Sequence, residues 1–94
     1  MAKLINIGFG NGVNSDKILA VVSPDAAPVK RMVTRAKEAG LIIDATQGRR
    51  TKAVIILEGG SILLSALQPE TVSRRFNADY AGKDDREEAE EEHE

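Results

Sequence analysis

The stretch GRRTKAVIILEGGSILLSAL, residues 48–67, contains two apolar runs separated by a short glycine turn. Neither run shows the alternation of polar and apolar residues that a strand with one solvent-facing side requires. They predict two strands joined by a tight hairpin turn over residues 58–60. Because both faces of these strands are apolar, both faces need a cover, and one amphipathic helix covers only one of them.

A single amphipathic helix is predicted before this hairpin. Its apolar residues are spaced at i, i+3, i+4 and i+7, which forms one stripe: Val29, Met32, Val33 and Ala36. Asp25 is the predicted N-cap and Pro28 then falls in the first turn, where its missing N–H costs nothing. Gly40 suits the position just past the C-terminus.

Short strands are predicted on either side of this helix, over residues 4–9, 17–23 and 41–45. The glycine-rich residues 10–16 predict a turn, and residues 46–50 predict the turn that leads back into the strand at 51–57. Pro69 favours the start of a short helix over residues 69–76. The predicted fold class is α+β: a small, mostly antiparallel sheet of about five strands, one main helix and a short C-terminal helix.

The charge of the chain is divided between two segments. The net charge is −2, but residues 1–76 carry +5 and residues 77–94 carry −7. We therefore expect one folded domain over residues 1–76 and an acidic, disordered tail over residues 77–94. A basic body favours a polyanionic partner. The tail then has two interpretations, as a competitor for the basic surface or as a solubilising segment.

Several functional classes find little support in the composition. The chain has no cysteine, so it lacks thiolate metal sites and cysteine nucleophiles. No apolar run is long enough to span a bilayer and no signal-peptide pattern is present, so we expect a cytoplasmic protein. The single histidine, His93, lies in the acidic tail, and no residue pattern calls for a metal or cofactor. We therefore expect no enzymatic activity.

Two motifs invite a catalytic or phosphate-binding interpretation, and neither is strong. A lone carboxylate at a strand end, such as Asp44, more often caps a turn or pairs with an arginine than acts as a base. The glycines of GFGNG, residues 8–12, are spaced differently from those of dinucleotide-binding loops, and no helical pattern follows them. A glycine turn between strands is the better interpretation.

The two-sided apolar strands also bear on assembly. If the helix covers one face of the sheet, the other face needs a partner, and a second copy of the chain is the simplest one. This predicts a homo-oligomer built on sheet faces or edges. The alternative is that the second helix and the N-terminal strands wrap the same sheet.

The cations suggest a binding surface. Arg49 and Arg50 follow a glycine that can turn the chain sharply, and Arg31 and Arg35 are neighbours on one helix face. Guanidinium groups fit phosphate oxygens and guanine edges bidentately, and the scarcity of aromatic residues favours duplex DNA over single strands. Two alternatives stay open: a scaffold whose arginines form inter-subunit salt bridges, and a regulator that binds a small anion at residues 10–16 and Arg49.

Four motifs in this order resemble the RemA family of bacterial extracellular-matrix regulatory proteins: INIGFGN, SPDAAPVKR, DATQGRRTKAVI and LSALQPETV. The resemblance covers about residues 3–76. It implies a DNA-binding transcriptional activator of biofilm-matrix operons, with a fold related to LytTR DNA-binding domains. It also implies a closed homo-oligomeric ring with arginines on a basic surface around which DNA wraps.

The same resemblance implies the contact residues. The DNA contacts fall on Arg49, Arg50 and Arg31, and a further basic family position falls on Lys17, where the family often has arginine. Lysine keeps the charge but loses the bidentate fork, so Lys17 suits a phosphate contact better than a base contact. Pro28 matches a position that shapes the start of the helix, and the acidic tail lies outside the resemblance.

Overall fold

The structure, a computed structural model, describes residues 3–81 of the 94-residue chain. Two sheets and two helices make up this part of the chain. In chain order the elements are β1 (Leu4–Asn6), β2 (Gly12–Asn14), a 3-10 turn (Ser15–Lys17), β3 (Ile18–Val22), α1 (Ala27–Glu38), β4 (Ile42–Asp44), β5 (Ala53–Leu57), β6 (Ile62–Ser65) and α2 (Pro69–Ala81). The α+β class is confirmed, although the described residues contain six strands rather than about five.

The main sheet has the strand order β3-β5-β6-β4, and β1 and β2 form a separate antiparallel pair. The predicted hairpin is confirmed, since β5 and β6 pair antiparallel from Ala53↔Ser65 to Ile56↔Ile62. Residues 46–50 reverse the direction of the chain, as predicted, but β4 does not pair with β5 and instead pairs in parallel with β6. The apolar strands β5 and β6 are therefore the central strands, and β3 and β4 are the two edges.

Both faces of the sheet are covered within one chain. On one face, α1 packs over β5 and β6 in a cluster of five buried residues: Val29, Ala36, Val54, Ile62 and Leu64. On the other face, the β1–β2 pair and α2 contribute to a second cluster: Ile5, Ile7, Val13, Ala45, Ile55, Leu57, Leu63, Leu67 and Val72. The inference that the second face needs another copy of the chain is therefore wrong, and the alternative, a sheet wrapped by the second helix and the N-terminal strands, holds.

Helix α1 follows the predicted stripe but begins one residue later than expected. The N-cap is Ala26, which makes no side-chain capping bond, and not Asp25. The Ser23 hydroxyl accepts a hydrogen bond from the Asp25 N–H at 3.3 Å, which forms a local turn before the helix. At the other end Gly40 has a φ of 74°. The N–H groups of Gly40 and Leu41 bond back to the carbonyls of Lys37 and Ala36, which is the Schellman arrangement that favours glycine.

The N-terminal pair and α2 differ from their predicted lengths. Strand β1 stops at Asn6, and β2 lies inside the segment predicted as a turn, because its three residues pair with β1. Helix α2 continues to Ala81, five residues past the predicted boundary at 76; the acidic residues 82–94 lie outside the described part of the chain.

Within residues 3–81, no helix combines the length and apolar character needed to cross a membrane.

One buried hydroxyl joins the N-terminal pair to the main sheet. Ser65 is fully buried. Its hydroxyl donates to the Ile7 carbonyl at 2.9 Å and accepts from the Leu67 N–H at 3.1 Å. Replacing this hydroxyl removes a partner from two backbone groups at once.

We expect Ser65→Ala to lower the free energy of unfolding by about 1–3 kcal/mol, because two buried backbone groups lose a partner. Urea denaturation monitored by circular dichroism measures the change. Ser73→Ala, at an exposed position of α2, is the matched control and should stay within about 0.5 kcal/mol of the parent. Equal effects of the two substitutions would contradict this role of Ser65.

Candidate nucleic-acid interface

The arginines lie at one end of the main sheet, which we call the loop end and define as residues 8–11, 23–26, 46–52 and 66–68. Val22 pairs with Val54, so the end of β3 lies beside the start of β5. Asp44 pairs with Leu64, so β4 and β6 finish together at this same end. The starts of α1 and α2 are also here, because Ser23–Asp25 and Gln68–Glu70 line one cleft of about 450 Å³.

The segment that carries Arg49 and Arg50 is a defined turn. Gln47 and Gly48 have φ values of 56° and 79°, and the Arg49 N–H donates to the Thr46 carbonyl at 3.0 Å. Positive φ at both central residues is the signature of a type I′ turn, which accounts for the glycine at the second of them. The chain rejoins the sheet at Lys52, whose N–H donates to the Ser65 carbonyl at 2.9 Å. The two arginines are therefore held between two fixed points.

Asp44 holds the beginning of this turn. One of its carboxylate oxygens accepts hydrogen bonds from the Thr46 hydroxyl at 2.7 Å and from the Thr46 N–H at 2.9 Å. These two bonds, helped by a weaker attraction to Lys37, lower the pKa of Asp44 below its ordinary value of 3.8. Asp44 therefore caps a turn as a carboxylate, which is the role that the sequence favours over catalysis.

The two arginines have different surroundings. The Arg49 guanidinium lies over the Phe9 ring, 5.4 Å from its centroid, in a cation–π contact. Arg50 instead lines the cleft, together with Thr51, Lys52, residues 23–25 before α1 and residues 68–70 at the start of α2. The cleft also contains the carboxylates of Asp25 and Glu70, so its charge is mixed. Both arginines are exposed and open to a large partner.

Arg31 is the fifth residue of α1 and is exposed. Since α1 starts at the loop end, a rise of 1.5 Å per residue leaves Arg31 about 6 Å along the helix axis from its first residue. The first turn of α1 contains no acidic residue and no side-chain cap. Pro28 is one of its first residues and has no N–H to satisfy. Arg31, Arg49 and Arg50 therefore share one end of the molecule.

Lys17 lies elsewhere. It precedes β3, whose first residue, Ile18, pairs with Leu57 at the far end of β5. The length of β5 separates Lys17 from Arg50 by roughly 15 Å or more. Lys17 also pairs with Glu58 at 3.4 Å, with both side chains more than half exposed. Such an exposed pair contributes little to stability, but it reduces the positive potential around Lys17.

Two residues of this site are not among the contacts that the sequence interpretation named. Lys52 adds a cation to the cleft, and its position three residues after Arg49 is visible in the sequence. Phe9 contacts Arg49 across 40 positions of the chain, and no local pattern predicts that contact. Among residues 3–81, no group of three or more histidine, aspartate or glutamate residues is arranged to hold a metal ion.

Comparison with known families matches the chain to the family described as RemA-like, extracellular matrix regulatory protein A-like, over residues 4–76. The chain belongs to the RemA-like family. The match includes β1 to β6, α1 and the four predicted contacts, Lys17, Arg31, Arg49 and Arg50. It ends within α2, before the acidic tail.

Relatives from several bacteria agree with this assignment. A protein of Alkaliphilus metalliredigens is 56% identical over 87% of this chain and 88% of its own length. Proteins of a Cyanothece species and of Lachnoclostridium phytofermentans are 60% and 61% identical, over 79% and 82% of this chain and 81% and 85% of their own lengths. Each of these relatives is named as a regulatory protein. The family and these names indicate a regulatory protein rather than an enzyme.

The hydrogen bonds of Asp44 give a testable pH dependence. We expect Thr46→Val to raise the pKa of Asp44 towards 3.8, because the bond from the Thr46 hydroxyl is lost. NMR titration of the side-chain carboxyl measures this pKa. Thr34→Val is the control, since the Thr34 hydroxyl bonds to the Lys30 carbonyl in α1. An Asp44 pKa that is equally low in both variants would contradict the assigned cause.

The same bonds fix the sign of the stability change. A carboxyl whose pKa is lowered by folding contributes stability above its unfolded pKa and loses it as the pH falls through the folded value. We therefore expect Asp44→Asn to destabilise the protein near neutral pH. The difference from the parent should shrink as the pH is lowered below 3.8. A difference that stays constant between pH 7 and pH 2 would contradict this contribution.

Proposed function

We propose that this protein is a DNA-binding transcriptional regulator that activates extracellular-matrix genes and acts as a homo-oligomeric ring. The observation that carries the proposal is the arginine turn of residues 46–52. Two adjacent exposed arginines stand on a type I′ turn that is anchored by Asp44 and Ser65. A preorganised turn limits the entropy lost when arginines bind phosphates. The RemA-like assignment supports the regulatory role.

The proposed DNA contacts are Arg49, Arg50 and Arg31, with Lys17 as a separate contact. The first three share the loop end, so one stretch of duplex can reach them together. Lys17 lies at the other end of β5, beside Glu58. It therefore meets DNA only if the duplex runs along the molecule or across neighbouring copies. Binding through phosphates is strongly salt-dependent, and arginines favour narrow A·T-rich minor grooves.

The proposed ring rests on the edges of the sheet rather than on its faces. The edge strands β3 and β4 display Leu19, which is 67% exposed, and Ile43, which is 48% exposed. Both strands run in the same direction, because β3 and β6 are each antiparallel to β5 and β4 is parallel to β6. A head-to-tail neighbour would therefore set β3 beside β4 as parallel strands. Such a heterologous contact closes into a ring when its rotation permits.

Repetition around a ring would compensate for the few contacts of each subunit. Two or three phosphate contacts give weak binding on their own. Linking such sites raises the overall affinity by roughly 10²–10⁴ without any new contact. Assembly and DNA binding should therefore be separable by substitution, with edge residues controlling the first and the arginine turn controlling the second.

We expect Arg50→Ala to weaken duplex binding at least about tenfold and to reduce the dependence of affinity on salt, because a phosphate contact is lost. Fluorescence anisotropy between 50 and 200 mM salt measures both quantities, and light scattering checks the mass. Lys3→Ala, which removes an exposed cation before β1, is the charge-matched control. Loss of assembly in Arg50→Ala would favour a scaffold whose arginines join subunits.

We expect Leu19→Lys and Ile43→Lys each to yield monomers, because a charge on an edge strand opposes strand pairing. Their affinity for duplex DNA should fall by roughly 10²–10⁴ with the loss of repeated sites. Size-exclusion chromatography with light scattering measures the mass. Leu4→Lys, on the 75%-exposed Leu4 of the separate β1–β2 pair, is the control. Unchanged mass in both edge variants would exclude the edge-to-edge ring.

A further inference from the structure

The exposed side of α1 carries more positive charge than the loop end. We call it the α1 basic face and define it by four exposed cations: Lys30, Arg31, Arg35 and Lys37. The only carboxylate in this helix is Glu38, in its last turn. Arg31 and Arg35 are one turn apart on the same face, where two like charges repel each other. This arrangement concentrates positive potential that the helix itself does not balance.

The rest of the described chain does not balance it either. None of the four side chains forms an ion pair with a carboxylate of residues 3–81. Lys37 exerts only the weakest of the effects on the pKa of Asp44, which is lowered chiefly by the hydrogen bonds from Thr46. The surroundings of Arg50 differ, because the acidic residues Asp25 and Glu70 line the same cleft. The α1 basic face therefore offers an anionic segment four cations that no carboxylate of residues 3–81 pairs with.

The chain itself contains a segment of opposite charge. Residues 82–94 include eight carboxylates and two cations, a net charge of −6, and one apolar residue, Ala89. This segment follows directly on Ala81, the last residue of α2. It lies beyond the region matched by the RemA-like family. Five of its glutamates lie within residues 87–92: Glu87, Glu88, Glu90, Glu91 and Glu92.

The length of this segment is sufficient to reach α1 in the same chain. Thirteen residues span up to about 45 Å when fully extended. The longest dimension of the part described, residues 3–81, is 38 Å. A segment that is tethered to its binding surface has an effective concentration in the millimolar range, so several weak ionic contacts can hold it there. These contacts are exposed, and salt therefore screens them.

We propose that residues 82–94 bind the α1 basic face of their own chain and compete there with other polyanions. The docking itself follows from charge and reach alone. Competition with DNA rests additionally on the proposed function, because Arg31 belongs both to this face and to the proposed DNA contacts. The affinity of the acidic segment for the α1 basic face then determines the salt and DNA concentrations at which duplex DNA displaces the segment from that face.

Docking is tested without DNA by zero-length carbodiimide cross-linking of the full-length protein, read by mass spectrometry. Such cross-links join lysine amines to carboxylates in direct contact. We expect links from residues 87–92 to Lys30 and Lys37 at low salt, and their loss at 0.5 M salt. Lys3 and Lys17, which lie outside the α1 basic face, are internal controls. Links spread evenly over all lysines, or concentrated on Lys52, would overturn the proposal.

Competition is tested by a full-length variant in which the five glutamates of residues 87–92 are replaced by glutamine. We expect it to bind duplex DNA roughly tenfold more tightly than the parent at low salt, with the two affinities converging as salt rises. Equal affinities at low salt would overturn competition. Cross-links to α1 in a protein that binds no duplex would support docking and overturn the proposed DNA function, so the two ideas fail separately.

Discussion

The structure depends on burying two adjacent strands on both of their faces. Val54 and Ile55 point to opposite sides of β5 and both are fully buried. Neither helix alone can meet this requirement, so α1 covers one face while α2 and the β1–β2 pair cover the other. Because α1 crosses the sheet between β3 and β4, the chain enters β4 at the far edge, parallel to β6. The route of the chain thus follows from the burial of β5 and β6.

The position of the arginine turn is a consequence of this route. A parallel β4 ends where β6 ends, so the chain must cross back to begin β5 at the same end of the sheet. Residues 46–52 make that crossing, and Asp44 and Ser65 hold its two ends. The core therefore decides where Arg49 and Arg50 stand, although neither arginine belongs to the core. This relation explains how the domain presents Arg49 and Arg50 in a defined geometry.

Much of the local structure was predictable because it depends on local chemistry. The α1 stripe, the glycine past its end and the β5–β6 hairpin follow from periodicity and turn residues. The structure differs from these predictions where contacts outside a short window of sequence determine the local conformation. Strand β2 forms in a glycine-rich segment because β1 pairs with it, and α1 begins after Ala26 because Ser23 and Asp25 form a turn of their own. Such differences arise because pairing partners and competing turns are not visible in a short window of sequence.

By itself the sequence determined the fold class, the family motifs, the arginine pair and the division of charge between body and tail. Each of these depends on residue type and spacing along the chain. Only the tertiary structure decided that one chain covers both faces of its sheet, that Lys17 stands apart beside Glu58, and that Phe9 supports Arg49. The physical reason is that these features join residues that are distant in sequence. The burial of β5 and β6 determines which of these distant residues come into contact.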